Sequence, residues 1–371
     1  MKSLDLDLLP DGGVSWLDAS GPDAHIVLST RIRLARNLEG LRFTPRADDA
    51  ERDRILDRLL DAGRAAPRMH DAAVFRVDRL SRRERQLLHE RHLISKELAG
   101  LEGPSGVRHG AALLTNGLLG VMINEEDHLR LQVLRSGFAP GPAYQEMAGF
   151  ERELGTRVPF AFHPEFGYLT SCPTNAGTGL RASVLIHLPG LVLTKEIAKV
   201  LQGLTQVGLT FRGLYGEGSE VVGNFFQLSN QTTLGKSDDE LLDHLSKIVR
   251  QVIAYEEQAR DVLRGNAPTV IADKVWRAYG LLRYARSLSF EETMNLLSGV
   301  RLGVGLNLIH DLSVYTLNKL LIFTQPAHLA QRAERALTDP DLPAIRATYV
   351  RTLLDDDAAR RPRGGAPGAE A

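Results

Sequence analysis

Between Ala111 and Leu134 the apolar positions come in short runs rather than in helical turns. AALLT (111–115) and LLGVMI (118–123) flank Asn116-Gly117, and Asn-Gly between apolar runs predicts a tight hairpin, because both residues tolerate the left-handed backbone that such turns require. In HLRLQVL (128–134), Leu129, Leu131 and Val133 alternate with His128, Arg130 and Gln132. A period of two predicts a strand with one apolar and one polar face. The intervening NEED, Asn124 to Asp127, then predicts a connection between antiparallel strands at the edge of a sheet.

The same pattern returns downstream. GYLT leads into the loop SCPTNAGTG, after which Ala182, Val184, Ile186 and Leu188 form an apolar face opposite Arg181, Ser183 and His187. Ile197, Val200, Leu201 and Leu204 mark one side of an amphipathic helix, followed by LTFRGL, the glycine-rich loop YGEGSEVVG and the strand NFFQLSN. These elements predict an α+β fold with an antiparallel sheet flanked by helices, not an alternating doubly wound one.

From Ser237 the period lengthens. Ser237-x-x-Glu240 predicts a capping box, continued by Leu241, Leu245, Ile248, Val249, Val252 and Ile253, and a second box stands at Ser289-x-x-Glu292 before the Gln325-Pro326 break. The reading is a sheet-based domain over 1–255 and a smaller all-helical domain over 256–354. The tail 355–371, DDDAARRPRGGAPGAEA, is too polar and too rich in Gly, Pro and Ala to pack, which predicts disorder.

Composition narrows the function. With 45 basic and 46 acidic residues the chain has a formal net charge of -1, so no global positive field recruits nucleic acid or an anionic membrane, and a basic site has to be local. No run reaches a membrane span, and MKSLDLDLLPDGG has acids where a signal peptide has its apolar segment, which predicts a cytoplasmic protein. The single cysteine, Cys172, excludes an internal disulfide and a cysteine-built metal site.

The local basic site is suggested by arginines at strand ends and loops: Arg31 and Arg33, Arg130, Arg181 and Arg212. Read singly, each is a surface arginine. Converging on one cleft, they would clamp a triphosphate bidentately and neutralise a transferring phosphoryl group. Glu125 and Glu126 are turn carboxylates on spacing alone. With Glu217 in the glycine-rich loop and Cys172 in another, they also describe a site for a cation beside a polyphosphate, and a planar guanidinium fits paired carboxylates. NQTTLGKS (230–237) imitates a phosphate-binding P-loop but lacks its first glycine, and His89 and His92 have the wrong spacing for a zinc helix, so no metal site of the protein's own is predicted.

STRIRLARN, INEEDHLR, GYLTSCPTNAGTGLRASVLIHLPGLVLTK and RGLYGEGSEVVGNFFQLSNQTTLGKS together resemble the phosphagen kinase (guanidino phosphotransferase) superfamily, most closely its bacterial protein arginine kinases. The resemblance spans most of residues 25–255. It implies the phosphagen kinase catalytic fold and Mg²⁺-ATP-dependent phosphorylation of a guanidine nitrogen. Ser29, Thr30, Arg31, Ile32 and Arg33, His92, Arg130, Arg181, Ala182, Ser183, Val184 and Leu185, and Arg212, Gly213, Leu214, Tyr215, Gly216 and Glu217 match its nucleotide-binding segments. Glu126 and Glu217 match the carboxylates that hold and deprotonate the guanidinium, with Glu125 beside them, and Cys172 matches the neighbouring thiol.

Metabolite-specific phosphagen kinases carry a long helical domain before the STRIR-like motif, which here starts at Ser29. An uncovered acceptor site implies arginine side chains of proteins as substrates, marked for a Clp-type protease, with an activator protein as a further partner and a homodimer formed through the helical domain. The alternatives are a kinase of free arginine or another small guanidine, and a non-catalytic phosphoarginine-binding adaptor. The family's RDxxRA motif, tied to regulation by phosphoarginine, falls on LPAIRA (342–347), which keeps Arg346 but replaces the leading Arg-Asp by Leu342-Pro343. The resemblance therefore implies weak or absent activation by phosphoarginine.

Overall fold

The computed structural model describes residues 4–101, 106–214, 221–333 and 339–360. The chain forms two compact units, Met1–Leu188 with Lys195–Val221 and Phe225–Tyr255, and Pro189–Thr194 with Val222–Asn224 and Glu256–Ala371. Two short segments of the second unit thus lie inside the sequence range of the first.

The first unit is built on strands β1 (Val27–Arg36), β2 (Ala73–Arg76), β3 (Ala112–Thr115), β4 (Leu119–Ile123), β5 (Leu129–Ser136), β8 (Leu180–His187), β9 (Leu209–Arg212) and β10 (Phe225–Asn230), with a separate two-stranded ribbon of β6 (Phe162–His163) and β7 (Gly167–Tyr168). The main sheet runs β2-β3-β4-β5-β1-β8-β10-β9 and every pair is antiparallel. The hairpin at Asn116-Gly117 forms as the sequence suggests: Asn116 Oδ1 accepts from the amides of Leu118 and Leu119 at 3.1 and 2.8 Å, and Gly117 has φ 93°. NEED does join antiparallel strands, but β4 and β5 are interior, so the edge placement is corrected; the edges are β2 and β9. Sequence alternation reports which face is buried but not which strand lies outermost.

Helices α1 (Asp49–Arg64), α2 (Arg82–Glu90), α3 (Lys96–Ala99) and α4 (Pro140–Gly155) belong to the same unit. α4 buries Ala143, Met147, Phe150 and Leu154 at helical spacing and packs on β1 and β5, whose Ile32, Leu34, Leu131 and Val133 are fully buried. Removing a buried apolar side chain of this size costs about 2–5 kcal/mol, so these alternating positions supply a large share of the unit's stability.

The turn that carries NEED is tied down by residues far away in sequence. Asn124, at φ 55°, donates to Arg52 O and Gly110 O. His128 Nδ1 accepts from Leu38 N at 2.9 Å and its Nε2 lies 2.8 Å from Arg42 O, which fixes the neutral Nε2–H tautomer. Burial holds its pKa below the ordinary histidine value. The ring is completely buried, because it satisfies two backbone groups of the segment after β1. His128→Ala is therefore expected to cost about 2–3 kcal/mol in urea denaturation, since it orphans a buried N–H and a carbonyl. Protonation also opposes this bonding: the unfolded state binds the proton more readily, so stability falls as pH drops below the unfolded pKa of about 6.5.

Helices α5 (Pro189–Leu193), α6 (Ile197–Gln206) and α7 (Asp238–Asn266) come next, then α8 (Pro268–Tyr284), α9 (Phe290–Gly305), α10 (Val314–Phe323), α11 (Pro326–Arg332) and α12 (Leu342–Arg360). The Ser237–Glu240 capping box is present, with bonds of 2.7 and 3.2 Å. In the second unit Glu256, wholly buried, accepts from the amides of Gly190 and Leu191 and from Arg260 Nε. Arg346 is buried as well, donating to the carbonyls of Thr324 and Leu288. Residues 355–360, read from composition as tail, are the last turns of α12. Asp355 pairs with Arg283 at 2.9 Å and Asp357 accepts from Ser313 and Thr316: acids that look solvated in sequence have partners in earlier helices. Residues 361–371 lie outside the described residues. No helix among the described residues is long and apolar enough to cross a membrane.

Candidate active site

Cross-strand partners share a face of a sheet, so the register assembles the site. Arg31 lies opposite Ser183, Arg33 opposite Arg181 and Gln132, and Ser29 opposite Leu185. Gln132 and Arg130 alternate on β5; on β10, Ser229 faces Ser183, and Gln227 faces both Leu185 and Arg212. Ser29, Arg31, Arg33, Arg130, Arg181, Ser183, Leu185 and Arg212 therefore share one sheet face. Thr30, Ile32, Ala182 and Val184 have the opposite parity and are fully buried in the core; Thr30 Oγ1 donates to Gly137 O at 2.7 Å. Only their backbone can border the arginine face.

The arginines are held as well as gathered. Arg31 Nη2 donates to Gln227 Oε1 at 2.6 Å and Arg181 Nη2 to Ser229 Oγ at 3.3 Å. Arg130 pairs with the buried Glu125 at 2.5 Å and with Glu126 at 3.4 Å. Burial, reinforced by Arg181 and Arg130, pulls the Arg31 pKa down to about 10, and burial together with Arg31, Arg130 and Arg181 pulls Arg33 well down. Arg130 is opposite in sign: burial lowers its pKa, but Glu125 and Glu126 outweigh it and the net shift is upward. Four arginines gathered on one face, two of them destabilised by their neighbours, could receive a polyanion.

Beside the arginines lies a pocket whose walls include Trp16, Ser29, His92, Leu185, Leu214 and Gln227. His92, at φ 59° after α2, meets Trp16 edge to face at 5.4 Å, and its carbonyl accepts from Gln132. Burial first, and Arg31 second, hold the His92 imidazole well below its ordinary pKa, hence neutral. The neutral ring thus adds no further positive charge beside the arginines. Gly213 and Leu214 are buried at the end of β9, whereas Tyr215, Gly216 and Glu217 lie outside the described residues.

The four residues of NEED have separate tasks. Glu125 is buried, accepting from Ser95 at 2.6 Å besides Arg130. Asp127 Oδ1 accepts from Asn37 Nδ2 at 2.7 Å and from Ser171 N at 2.6 Å, tying the turn to the loop after β7. Glu126 alone keeps substantial exposure, 37% of its side chain, with Asn175 Nδ2 at 3.5 Å. Burial lifts its carboxyl above the ordinary range; Arg130 opposes the shift, while Glu125 and Asp127 add to it. Asn175 belongs to the same loop as half-buried Cys172, whose Sγ is 3.0 Å from Thr174 Oγ1. The arginine face thus ends at an accessible, basic carboxylate with a loop thiol nearby. No group of three His, Cys, Asp or Glu side chains among the described residues could hold a metal ion.

Gln227, Ser229, Trp16 and Asn175 were not singled out from sequence. The first two had a signal, since NFFQLSN alternates just as the arginine strands do; Trp16 and Asn175 sit in segments without a period, and only tertiary contact assigns them.

Comparison with known proteins is consistent with this site. Residues 61–259 match the family model for the ATP:guanido phosphotransferase C-terminal catalytic domain, and residues 268–363 that for the protein-arginine kinase McsB C-terminal domain. A protein-arginine kinase of Symbiobacterium thermophilum is 43% identical over 346 residues, covering 91% of this chain and 96% of that protein. One of Bacillus cereus is 41% identical over 355 residues, covering 95% and 99%. Among solved structures, lombricine kinase superposes with a TM-score of 0.56 at 23% identity over 69% of this chain and 71% of that one. The duplicated taurocyamine kinase of Schistosoma mansoni with bound transition-state analogue components gives 0.57 at 25% identity over 76% and 41%.

Proposed function

The chain belongs to the ATP:guanido phosphotransferase family, within its protein-arginine kinase branch, and from that premise we propose how its residues act. The enzyme transfers the γ-phosphoryl group of ATP to a guanidinium nitrogen of arginine side chains in proteins. Arg31, Arg33, Arg130, Arg181 and Arg212 hold the triphosphate, and the pocket bordered by Trp16, His92 and Leu214 takes the base. Mg²⁺ would come with the nucleotide rather than be held by a protein site of its own, and would help neutralise the charge of the transferring phosphoryl group.

Glu126 takes a proton from the substrate guanidinium, whose own pKa above about 12 makes it a poor nucleophile until a carboxylate aligns and deprotonates it. The freed nitrogen pair attacks Pγ, the bond from Pγ to the bridging oxygen breaks, and ADP departs with that electron pair. Products are phosphoarginine, ADP and the proton now on Glu126. Glu217 is proposed as the second carboxylate, and Cys172 as the thiol lining the acceptor's side. The observation that carries the reading is the single sheet face of arginines ending at Glu126, the one exposed carboxylate of its turn.

The wider role proposed is that of a cytoplasmic enzyme marking proteins for a Clp-type protease, working with an activator protein and as a homodimer through its helical part. The exposed Val270, Leu281 and Tyr284 of α8 support a partner-covered face there.

The test is incubation with Mg-ATP and casein, followed by mass spectrometry under conditions that spare the acid-labile N–P bond. Phosphate on arginine is expected with the unaltered protein and not with Glu126→Ala. Turnover with free arginine but not with protein would replace the reading with a small-guanidine kinase; no turnover with either would favour a non-catalytic adaptor.

Regulation by phosphoarginine is expected to be weak. Leu342-Pro343 supply no charge, and the guanidinium of Arg346 is already engaged by two carbonyls. A phosphoarginine peptide titrated into the kinase assay should change the rate less than twofold, about 0.4 kcal/mol; strong activation would refute this.

A further inference from the structure

The segment NQTTLGKS, which imitates a P-loop in sequence, has another task. Thr233 is buried although its neighbours Thr232 and Leu234 are exposed. Its Oγ1 donates to Thr174 O at 3.0 Å and to Ala176 O at 2.6 Å. A hydroxyl carries one proton, so a single donor is shared by the carbonyls of the two residues that flank Asn175. The backbone repeats the tie, since Thr233 O accepts from Thr178 N at 3.2 Å. Just before it, Asn230 Oδ1 accepts from the Ala182 amide at 2.8 Å and Asn230 Nδ2 donates to Leu180 O at 2.9 Å, which fastens the start of the segment to β8.

The two backbones are in direct contact. A Cβ on Gly177, which has φ 102°, would lie 2.5 Å from Thr233 O and 2.8 Å from Leu234 Cα, so glycine alone meets both the space and the dihedral there. The ends of the loop have their own anchors: Ser171 N donates to Asp127 Oδ1 at 2.6 Å, and Thr178 O accepts from Arg36 Nη1 at 2.8 Å. Between them lies the stretch that carries Cys172 and Asn175, and Asn175 Nδ2 is 3.5 Å from Glu126 Oε2. All of these residues belong to the first unit.

We infer that Thr233 is a positioning residue for the acceptor side of the site: by holding the carbonyls on either side of Asn175, it keeps the loop of Cys172 and Asn175 against Glu126. The inference rests on the kinase reading and deepens it. The arginine face is held by other contacts, those of Gln227 and Ser229 with Arg31 and Arg181, so loss of the Thr233 hydroxyl separates the two substrates.

The test uses the full chain and measures kcat/KM for casein, KM for ATP, and backbone hydrogen exchange of the loop 171–178 without nucleotide or acceptor. Thr233→Val keeps the shape of the side chain and removes the donor. It should lower kcat/KM for casein about tenfold and leave KM for ATP within about twofold, because small displacements of a positioned group cost rate steeply. The loop amides should exchange about fivefold faster, the scale of one net hydrogen bond, while β1 exchanges as before. Thr233→Ser keeps the hydroxyl and should bring exchange and kcat/KM for casein back to within about twofold of the unaltered protein. Faster exchange with unchanged kcat/KM for casein would make Thr233 merely structural and overturn the inference. Unchanged exchange, an equal loss toward both substrates, or failure of T233S to restore would overturn it as well. Should T233V not fold, Thr233→Ala against T233S makes the same comparison. Absence of turnover in the unaltered protein would instead count against the kinase reading, and the exchange comparison would still decide whether Thr233 holds the loop.

Discussion

Replacing Glu126 by glutamine is expected to lower kcat about a thousandfold and to leave KM for ATP within about twofold, because the amide keeps the size of the side chain and loses the base, and proton transfer by a placed side chain is worth roughly 10²–10⁴. The geometry separates Glu126 from its neighbours. Glu125 is buried against Arg130 and Ser95, and Asp127 is committed to Asn37 and Ser171. Neither can turn toward an acceptor without breaking buried bonds. The pH dependence has a definite sign. The Glu126 carboxyl is raised above its ordinary value, and only its ionised form accepts a proton, so kcat/KM should climb with pH through that pKa to a plateau. The E126Q profile should be low and without that rise. A residual rate within tenfold of the unaltered enzyme would remove Glu126 from the role of base.

The second large effect pairs a loss with a gain. Arg33→Met should reduce kcat/KM for ATP by about a thousandfold, the scale on which a single arginine acts on a transferring phosphoryl group. The same change should stabilise the nucleotide-free protein by about 1 kcal/mol, the usual yield when a strained binding group is replaced by one that merely packs. The asymmetry comes from the environment. Arg33 lies among Arg31, Arg130 and Arg181, and no hydrogen bond or ion pair of its guanidinium is seen among the described residues, where its Nε is buried. Urea denaturation with and without ATP separates the two contributions: R33M should unfold later than the unaltered protein without nucleotide and gain little when ATP is added. Equal stability without nucleotide would mean that the other arginines do not strain the fold.

Both experiments probe features of unequal legibility in the sequence. The arginine face was readable because strands with one buried side carry their pattern locally: Leu129, Leu131 and Val133 against Arg130 and Gln132, and Ala182, Val184 and Ile186 against Arg181 and Ser183. A contiguous match such as Ser29 to Arg33 nevertheless includes two residues, Thr30 and Ile32, whose side chains face the core. The turn between β4 and β5 was the least legible part. Its three acids look alike in sequence and differ only through Asn37, Ser95 and Ser171, partners drawn from distant segments. The same holds for the end of α12, where Asp355 and Asp357 read as solvent-facing until Arg283, Ser313 and Thr316 come near. Local periodicity carries strands and faces; the division of labour among identical side chains is tertiary.

Cys172 has a practical consequence. It is the only thiol of the chain, half-buried, in the loop that also brings Asn175 to Glu126. Thiol-directed alkylation can therefore modify at most one sulfur per molecule, and always at that loop. A fluorophore attached there would need no engineered cysteine and no removal of others, and its brightness would report on the loop that carries Asn175 to Glu126. Peroxide chemistry would be equally confined: any oxidant-dependent change in behaviour traced to sulfur would have, apart from the methionines, a single address.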